Sequence, residues 1–291
     1  MLARRPEAGS LAPFRRLLLV LDAMSGYASA EAAARLARRF EAEFAALYIE
    51  SEELLRLAGH PGARLIGRSP ETEPGETTSS NLDTAALARA LRARADEIRR
   101  AVERAARESA LSASFEVRRG RIAAEVAACA AETDLVIVAW AEHAAWPGPI
   151  STGRAAEAIA RANPRSILFL REDRALSGAV VVLFDGGAAA ERALQAAAAI
   201  AGAAGNPCEV VLRTPRIAEA DRWRSDIRAR LADAGIELEF LHLPGGDGEA
   251  LCAAARRRGA SLVVVGTDGE SEKSIAGDLL DRLSCSLLLV R

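Results

Sequence analysis

Ser261 to Leu283 reads SLVVVGTDGESEKSIAGDLLDRL, and it is the stretch whose residue types most suggest chemistry. An apolar run ends in Gly266 and Thr267, Gly269 follows, and Lys273 and Ser274 precede a second amphipathic stretch. A buried strand, a glycine turn and a helix start, in that order, commonly build a phosphate site. Glycines let backbone N–H groups approach an anion, and the helix N-terminus favours negative charge. Lys273 could supply a further cation, but Asp268, Glu270 and Glu272 surround it and oppose a triphosphate at close range. Ser274 is placed to cap the following helix with no ligand at all. The spacing leaves two readings open, a phosphate site or only the shape of one.

Other reactive residues offer less. The histidines, His60, His143 and His242, are scattered, and Cys129, Cys208, Cys252 and Cys285 stand alone without a CxxC pair. Reduced, mostly buried thiols are expected, with no zinc, other metal or disulfide use. No Ser-His-Asp or Cys-His pattern is visible, so no catalytic residue is assigned. A formal net charge of −2 gives no electrostatic reason to expect nucleic acid or an anionic membrane as partner. Arg carries nearly all the positive charge, Lys273 being the only lysine, which with the abundant Ala fits a GC-rich bacterial genome. The opening residues bring Arg4 and Arg5 but then Pro6, Glu7 and Gly9, which does not suit an export signal. The apolar runs are strand-sized, so a cytoplasmic location is expected.

The elements that would position these residues occur twice. RRLLLVLDAMSGYASAEAAARLARRFEAEFAALYIE, from Arg15, gives a strand ending in Asp22, a small-residue turn, an Ala-rich helix and a second strand. GAVVVLFDGGAAAERALQAAAAIAGAAGNPCEVVL, from Gly178, repeats the plan with Asp185 in place of Asp22 and Gly186 beside it. Each half continues through a strand, a glycine turn, a helix and an apolar strand, then a helix and a last strand, SILFL at Ser166 or SLLLV at Ser286. Continuous Val/Ile/Leu strands alternating with helices predict parallel sheets covered on both faces. The expected architecture is α/β: two tandem doubly wound, Rossmann-like domains, each with a five-stranded, mostly parallel sheet. The domains are placed at 14–174 and 177–291. Asp22 and Asp185 are 163 apart but Ala139 and Gly266 only 127, so the first half carries 36 more residues, assigned to an insertion at about 51–107. Within it HPGARLIGRSPETEPGETTSSN reads as loop. An Arg-rich helix from about Leu82 to Glu108 follows, with Leu87, Leu91, Ile98 and Val102 as its apolar stripe and acids interleaved among the arginines.

In this order the motifs resemble the universal stress protein family in its tandem two-domain form. The resemblance rests on LLLVLDAMS and VVVLFDGGAAAERAL, on Gly120 and Gly246 after the third strands, and on DLVIVAW and SLVVVGT. It covers the chain apart from the first dozen residues and the insertion. It implies a stress-response role. ATP-binding members carry Gly-x2-Gly-x9-Gly-Ser/Thr after the fourth strand and use the acid after the first strand at the nucleoside end. In the second half Asp185, Gly266, Thr267 and Gly269 match. The loop is then seven residues shorter, which puts Lys273 at the third glycine and Ser274 at the hydroxyl position. In the first half Asp22 and Gly153 match, but Ala139 and Glu142 replace the first two glycines and Arg154 the hydroxyl residue. Pro147 and Pro149 also remove amide donors there. That half is expected to be vestigial.

The expected function is therefore a non-enzymatic universal-stress-type protein with degenerate nucleotide sites and a regulatory or protective role. The alternative is a module that binds ATP or another adenine nucleotide in the second half, with slow hydrolysis as a variant. Family members dimerise through the last strand, so SILFL and SLLLV are expected to pair as an internal pseudo-dimer. A further homodimer or a protein partner would use the insertion, whose Leu54, Leu55, Leu57, Leu65 and Ile66 otherwise fold back on the sheet.

Overall fold

The computed structural model describes residues 14–23, 25–52, 55–56, 64–67, 78–81, 84–140, 158–171, 176–245, 248–268 and 279–291. The Val/Leu/Ile runs become strands and the Ala-rich stretches between them helices. The first half contains β1 (Arg16–Leu21), α1 (Ala28–Arg39), β2 (Glu43–Ser51), β3 (Arg64–Gly67), β4 (Thr78–Asn81), α2 (Thr84–Glu108), β5 (Ala113–Gly120), α3 (Ile122–Ala130), β6 (Leu135–Trp140) and β7 (Ser166–Arg171). The second contains β8 (Val180–Phe184), α4 (Ala188–Ala204), β9 (Cys208–Arg213), α5 (Ile217–Arg230), β10 (Leu238–Leu243), α6 (Gly248–Arg258), β11 (Leu262–Gly266) and β12 (Ser286–Val290).

Five strands from each half form one ten-stranded sheet, ordered β10-β9-β8-β11-β12-β7-β6-β1-β2-β5. Within this sheet every pairing inside a half is parallel. Parallel neighbours need crossovers, and these put helices on both faces. Helices α1, α2, α4 and α5 contribute to the core on one face; α3, α6 and helical residues 158–162 and 279–282 contribute to the other. Alanine dominates the buried side of α4, so its backbone lies close against β8 and β11.

The halves meet where β7 and β12 pair antiparallel, with Phe169 opposite Leu287, Leu168 opposite Leu288 and Ile167 opposite Leu289. The expected pairing of SILFL with SLLLV is thus present, and it leaves neither apolar strand as an open edge. The ends of the ladder are tied by matching contacts. The Arg171 N–H donates to Ser286 Oγ at 3.1 Å, and the Arg291 N–H donates to Ser166 Oγ at 3.2 Å. The Arg171 guanidinium reaches Leu283 O at 3.1 Å, and that of Arg291 reaches Ala160 O at 2.5 Å.

Two features of the 51–107 stretch differ from a plain reading of its composition. Part of the presumed loop is an antiparallel hairpin, with Leu65 opposite Ser80 and Ile66 opposite Ser79. Gly, Pro and Ser mark breaks in structure, but the short runs between those breaks remain free to pair. The long helix α2 is the crossover from β2 to β5, the place α5 holds between β9 and β10. Its buried side comprises Leu91, Ala95, Ile98, Ala101, Val102, Ala105 and Ala106, packed against α1 and β5. Leu54 and Leu57, and the side chains of Leu65 and Ile66, lie outside the described residues.

At the amino end of the second half's sheet, Glu209 on β9 is buried beside Arg257 and Arg258, each 3.7 Å away. Burial pushes its carboxyl above the usual range; the two arginines pull the other way and Glu239 adds to the rise. A carboxyl raised in the folded state contributes most to stability below its unfolded pKa, and that contribution is lost as pH climbs through the folded one. Glu209→Gln is therefore expected to gain melting temperature relative to the parent as pH rises from 4 to 7. Parallel pH profiles of the two proteins would contradict this.

Candidate functional site

In a doubly wound sheet, ligands are held outside the carboxyl ends of the strands. In the second half that edge carries Asp185 and Gly186 after β8, Arg213 at the end of β9, and Gly266 and Thr267 at the end of β11. The expected residues Asp185, Gly186, Gly266 and Thr267 do share one edge. Gly269, Lys273 and Ser274 lie outside the described residues, as do Gly153, Arg154 and Gly246.

Each residue described at this edge is already engaged. Arg213 reaches Asp185 Oδ2 at 2.6 Å, while the Gly187 N–H donates to Asp185 Oδ1 at 3.1 Å. Gly186 has φ +81°, a conformation that suits glycine, and a Cβ there would come within 2.5 Å of Trp223 Cζ2. Trp223, from α5, stands on this turn with its ring edge-to-face to Phe184, centroids 5.3 Å apart. The Thr267 N–H donates to Val290 O at 2.8 Å, extending the β11–β12 ladder, so it is turned away from any anion at the edge.

Gly266 is explained by packing. A Cβ added to it would fall inside the Ala189 carbonyl and 2.7 Å from Ala190 N, at the first turn of α4. Its missing side chain lets α4 sit down on the end of β11. The phosphate-like look of VVVGT thus has a structural cause that needs no phosphate.

The corresponding edge of the first half is built differently. Asp22 forms a tight turn with Ser25, whose hydroxyl lies 2.9 Å from Asp22 Oδ1 and also accepts the Asp22 N–H. Arg94 on α2 clamps that turn, donating to Ser25 O at 2.7 Å and to the Tyr27 hydroxyl at 2.7 Å, with its guanidinium 4.9 Å from the Tyr27 ring centre. Under it Tyr48 is fully buried, and its hydroxyl has no hydrogen-bond partner among the described residues. Burial first, and then the charges of Asp22 and Glu50, push that phenol up to about 12. Ala139 is the penultimate residue of β6, and Glu142 lies outside the described residues.

Both halves therefore use the crossover helix to lock the turn after the first strand, with Arg94 in one and Trp223 in the other. Neither residue was singled out by sequence reasoning, nor was Arg213. Trp223 did carry a signal, as one of three tryptophans in a chain only 4% aromatic. Among the described residues no group of three or more His, Cys, Asp or Glu side chains could hold a metal ion.

Sequence comparison matches the chain to no protein-family model and to no curated protein. Structure comparison does find relatives. A universal stress protein from Archaeoglobus fulgidus superposes with a TM-score of 0.67 at 14% identity, over 94% of this chain and 96% of that one. The chain has the universal stress protein fold. A functionally unknown protein from Pseudomonas aeruginosa superposes with a TM-score of 0.57 at 18% identity, over 97% of this chain and 94% of the other. Both likenesses run through the two halves, so the tandem arrangement itself is shared. No helix among the described residues is long and apolar enough to cross a membrane.

Proposed function

We propose that the chain is a universal-stress-type protein that acts without catalysis, as a regulatory or protective partner in a stress response, and that neither half holds ATP in the manner of the nucleotide-binding members. The observation that carries this is Trp223 standing on Gly186 while Arg213 occupies Asp185. A nucleoside directed to that acid has to displace both. The ion pair is substantially exposed, at 41% and 38% for the two side chains, and is worth at most about 1 kcal/mol. The edge-to-face contact adds roughly 0.5–1.5 kcal/mol. Displacing both weakens a nucleotide by about one to two decades in Kd. The commitment of the Thr267 amide to Val290 removes one further donor from the phosphates.

The competing reading, an adenine-nucleotide module in the second half, is favoured by Asp185, Gly186 and Gly266 sharing one edge. Melting curves with millimolar ATP, ADP, AMP and cyclic nucleotides plus magnesium separate the two. No saturable shift is expected with any of them. A shift abolished by Asp185→Ala would establish the nucleotide reading instead. Gly266 is unsuited to that experiment, because any side chain there meets Ala189 before it meets a ligand.

A further inference from the structure

A cleft of about 360 Å³ lies across the junction of the halves, and Asp185 is not among the residues that line it. The first half contributes Arg165 and Ser166, and the second Arg192, Gln195 and Arg291. Phe14, Pro164 and Val290 form apolar walls. Each guanidinium is held by main-chain carbonyls: Arg165 by Ala131 O at 3.1 Å, Arg192 by Ala188 O at 3.3 Å and Thr267 O at 3.5 Å, and Arg291 by Ala160 O. Carbonyl oxygens orient the guanidiniums of Arg165 and Arg192 but leave their charge uncompensated. Among the described residues Asp134 is the one carboxylate side chain lining the cleft, and its Oδ2 already accepts the N–H groups of Arg15 and Arg16 at 2.8 and 3.0 Å. Neither Arg165 nor Arg192 is paired with a carboxylate among the described residues.

The internal repeat shows that the charge is not part of the frame. The last strands match at an offset of 120 and the first helices at 163. The mate of Arg165 is accordingly Cys285, and the mates of Arg192 and Gln195 are Ser29 and Ala32. Only Arg291 has an arginine as its mate, Arg171, which is buried in the ladder. The junction thus needs one arginine on each side, and this side has two more. Guanidiniums brought together repel one another, and their planar donors match the oxygens of a phosphate.

We propose that this cleft binds a phosphate group across the two halves, either inorganic phosphate or the phosphate of a small metabolite whose organic part lies on Phe14, Pro164 and Val290. The ligand bridges the halves and stabilises their junction. The test is a melting series of the full chain in chloride buffer with inorganic phosphate and, separately, glycerol 3-phosphate. A saturable rise is expected with at least one of them. Arg165→Gln and Arg192→Gln are each expected to weaken it about tenfold, and the double variant to abolish it. Both side chains are exposed, so the variants should fold, which far-UV circular dichroism checks. Broadening of the ligand's 31P resonance by the parent protein gives a reading independent of any variant. The proposal is overturned by a rise that sodium chloride reproduces at equal ionic strength, by one that survives in the double variant, or by no effect of either ligand. Loss of binding in Asp185→Ala with retention in the double arginine variant would also overturn it, by moving the ligand to the strand edge.

Discussion

Gly266→Ala is expected to lower the melting temperature by roughly 5–15 °C in buffer free of any nucleotide. The added Cβ would occupy the carbonyl of Ala189 and approach Ala190 N to 2.7 Å. Those are main-chain atoms in the first turn of α4, a helix whose buried side is built largely of fully buried alanines against β8, β9, β11 and β12. A flexible side chain could swing aside; a helix backbone packed on four strands has to move as a unit. Overpacking of this kind costs on the order of 2–4 kcal/mol, and for a chain of this size each kcal/mol is worth about 2–4 °C. Gly187→Ala is the matched control. Its Cβ would meet Asp185 Oδ1, a side-chain atom, at 3.2 Å, and a change of less than about 1 kcal/mol is expected. The comparison separates two meanings of one glycine. A glycine kept for phosphate approach tolerates alanine in the empty protein and loses only ligand, whereas one kept for packing destabilises the protein with no ligand in play. An unchanged melting curve for Gly266→Ala would return VVVGT to the phosphate reading.

What was legible in the sequence and what was not follows from the distance over which each fact is decided. Val180 to Phe184 and Leu262 to Gly266 could be read as parallel strands because their apolar runs are local and continuous. The duplication was legible for the same reason, and the pairing of β7 with β12 followed from the family resemblance, which implies dimerisation through the last strand. The sequence shows a glycine at 266, but what decides its role is Ala189, 77 positions earlier, which only the fold brings into contact. The same holds at the acids. Asp22 and Asp185 were found as the residues that end their strands, while their surroundings come from β9 and from two crossover helices. Arg94 reaches Ser25 across 69 positions and Arg213 reaches Asp185 across 28. A local pattern can therefore place a candidate residue at the carboxyl edge without saying whether that place is open. In the 51–107 stretch composition misleads for the opposite reason. Breaker residues dominate it, yet Arg64–Gly67 and Thr78–Asn81 pair with one another.

Phe169→Ala is expected to cost about 3–5 kcal/mol and to loosen both halves together. Phe169 is among the largest fully buried side chains, on the middle of β7, with Val138 beside it in its own half and Leu287 opposite it in the other. The core on its face runs unbroken from Leu18 and Val136 in one half to Leu279 and Leu287 in the other. Truncation there leaves a cavity against both halves. Native-state hydrogen exchange reads the consequence strand by strand. The amides of Leu168–Phe169 and Leu287–Leu289 should lose protection together, and by similar factors, while β10 and β5 at the far edges keep more of theirs. Halves that fold independently give a different result, with β7 and its parallel neighbours losing protection and β12 retaining it. In that case the antiparallel seam would be a contact between two finished domains. The expected result makes it a shared element of one ten-stranded sheet, with a cleft on it that both halves must complete.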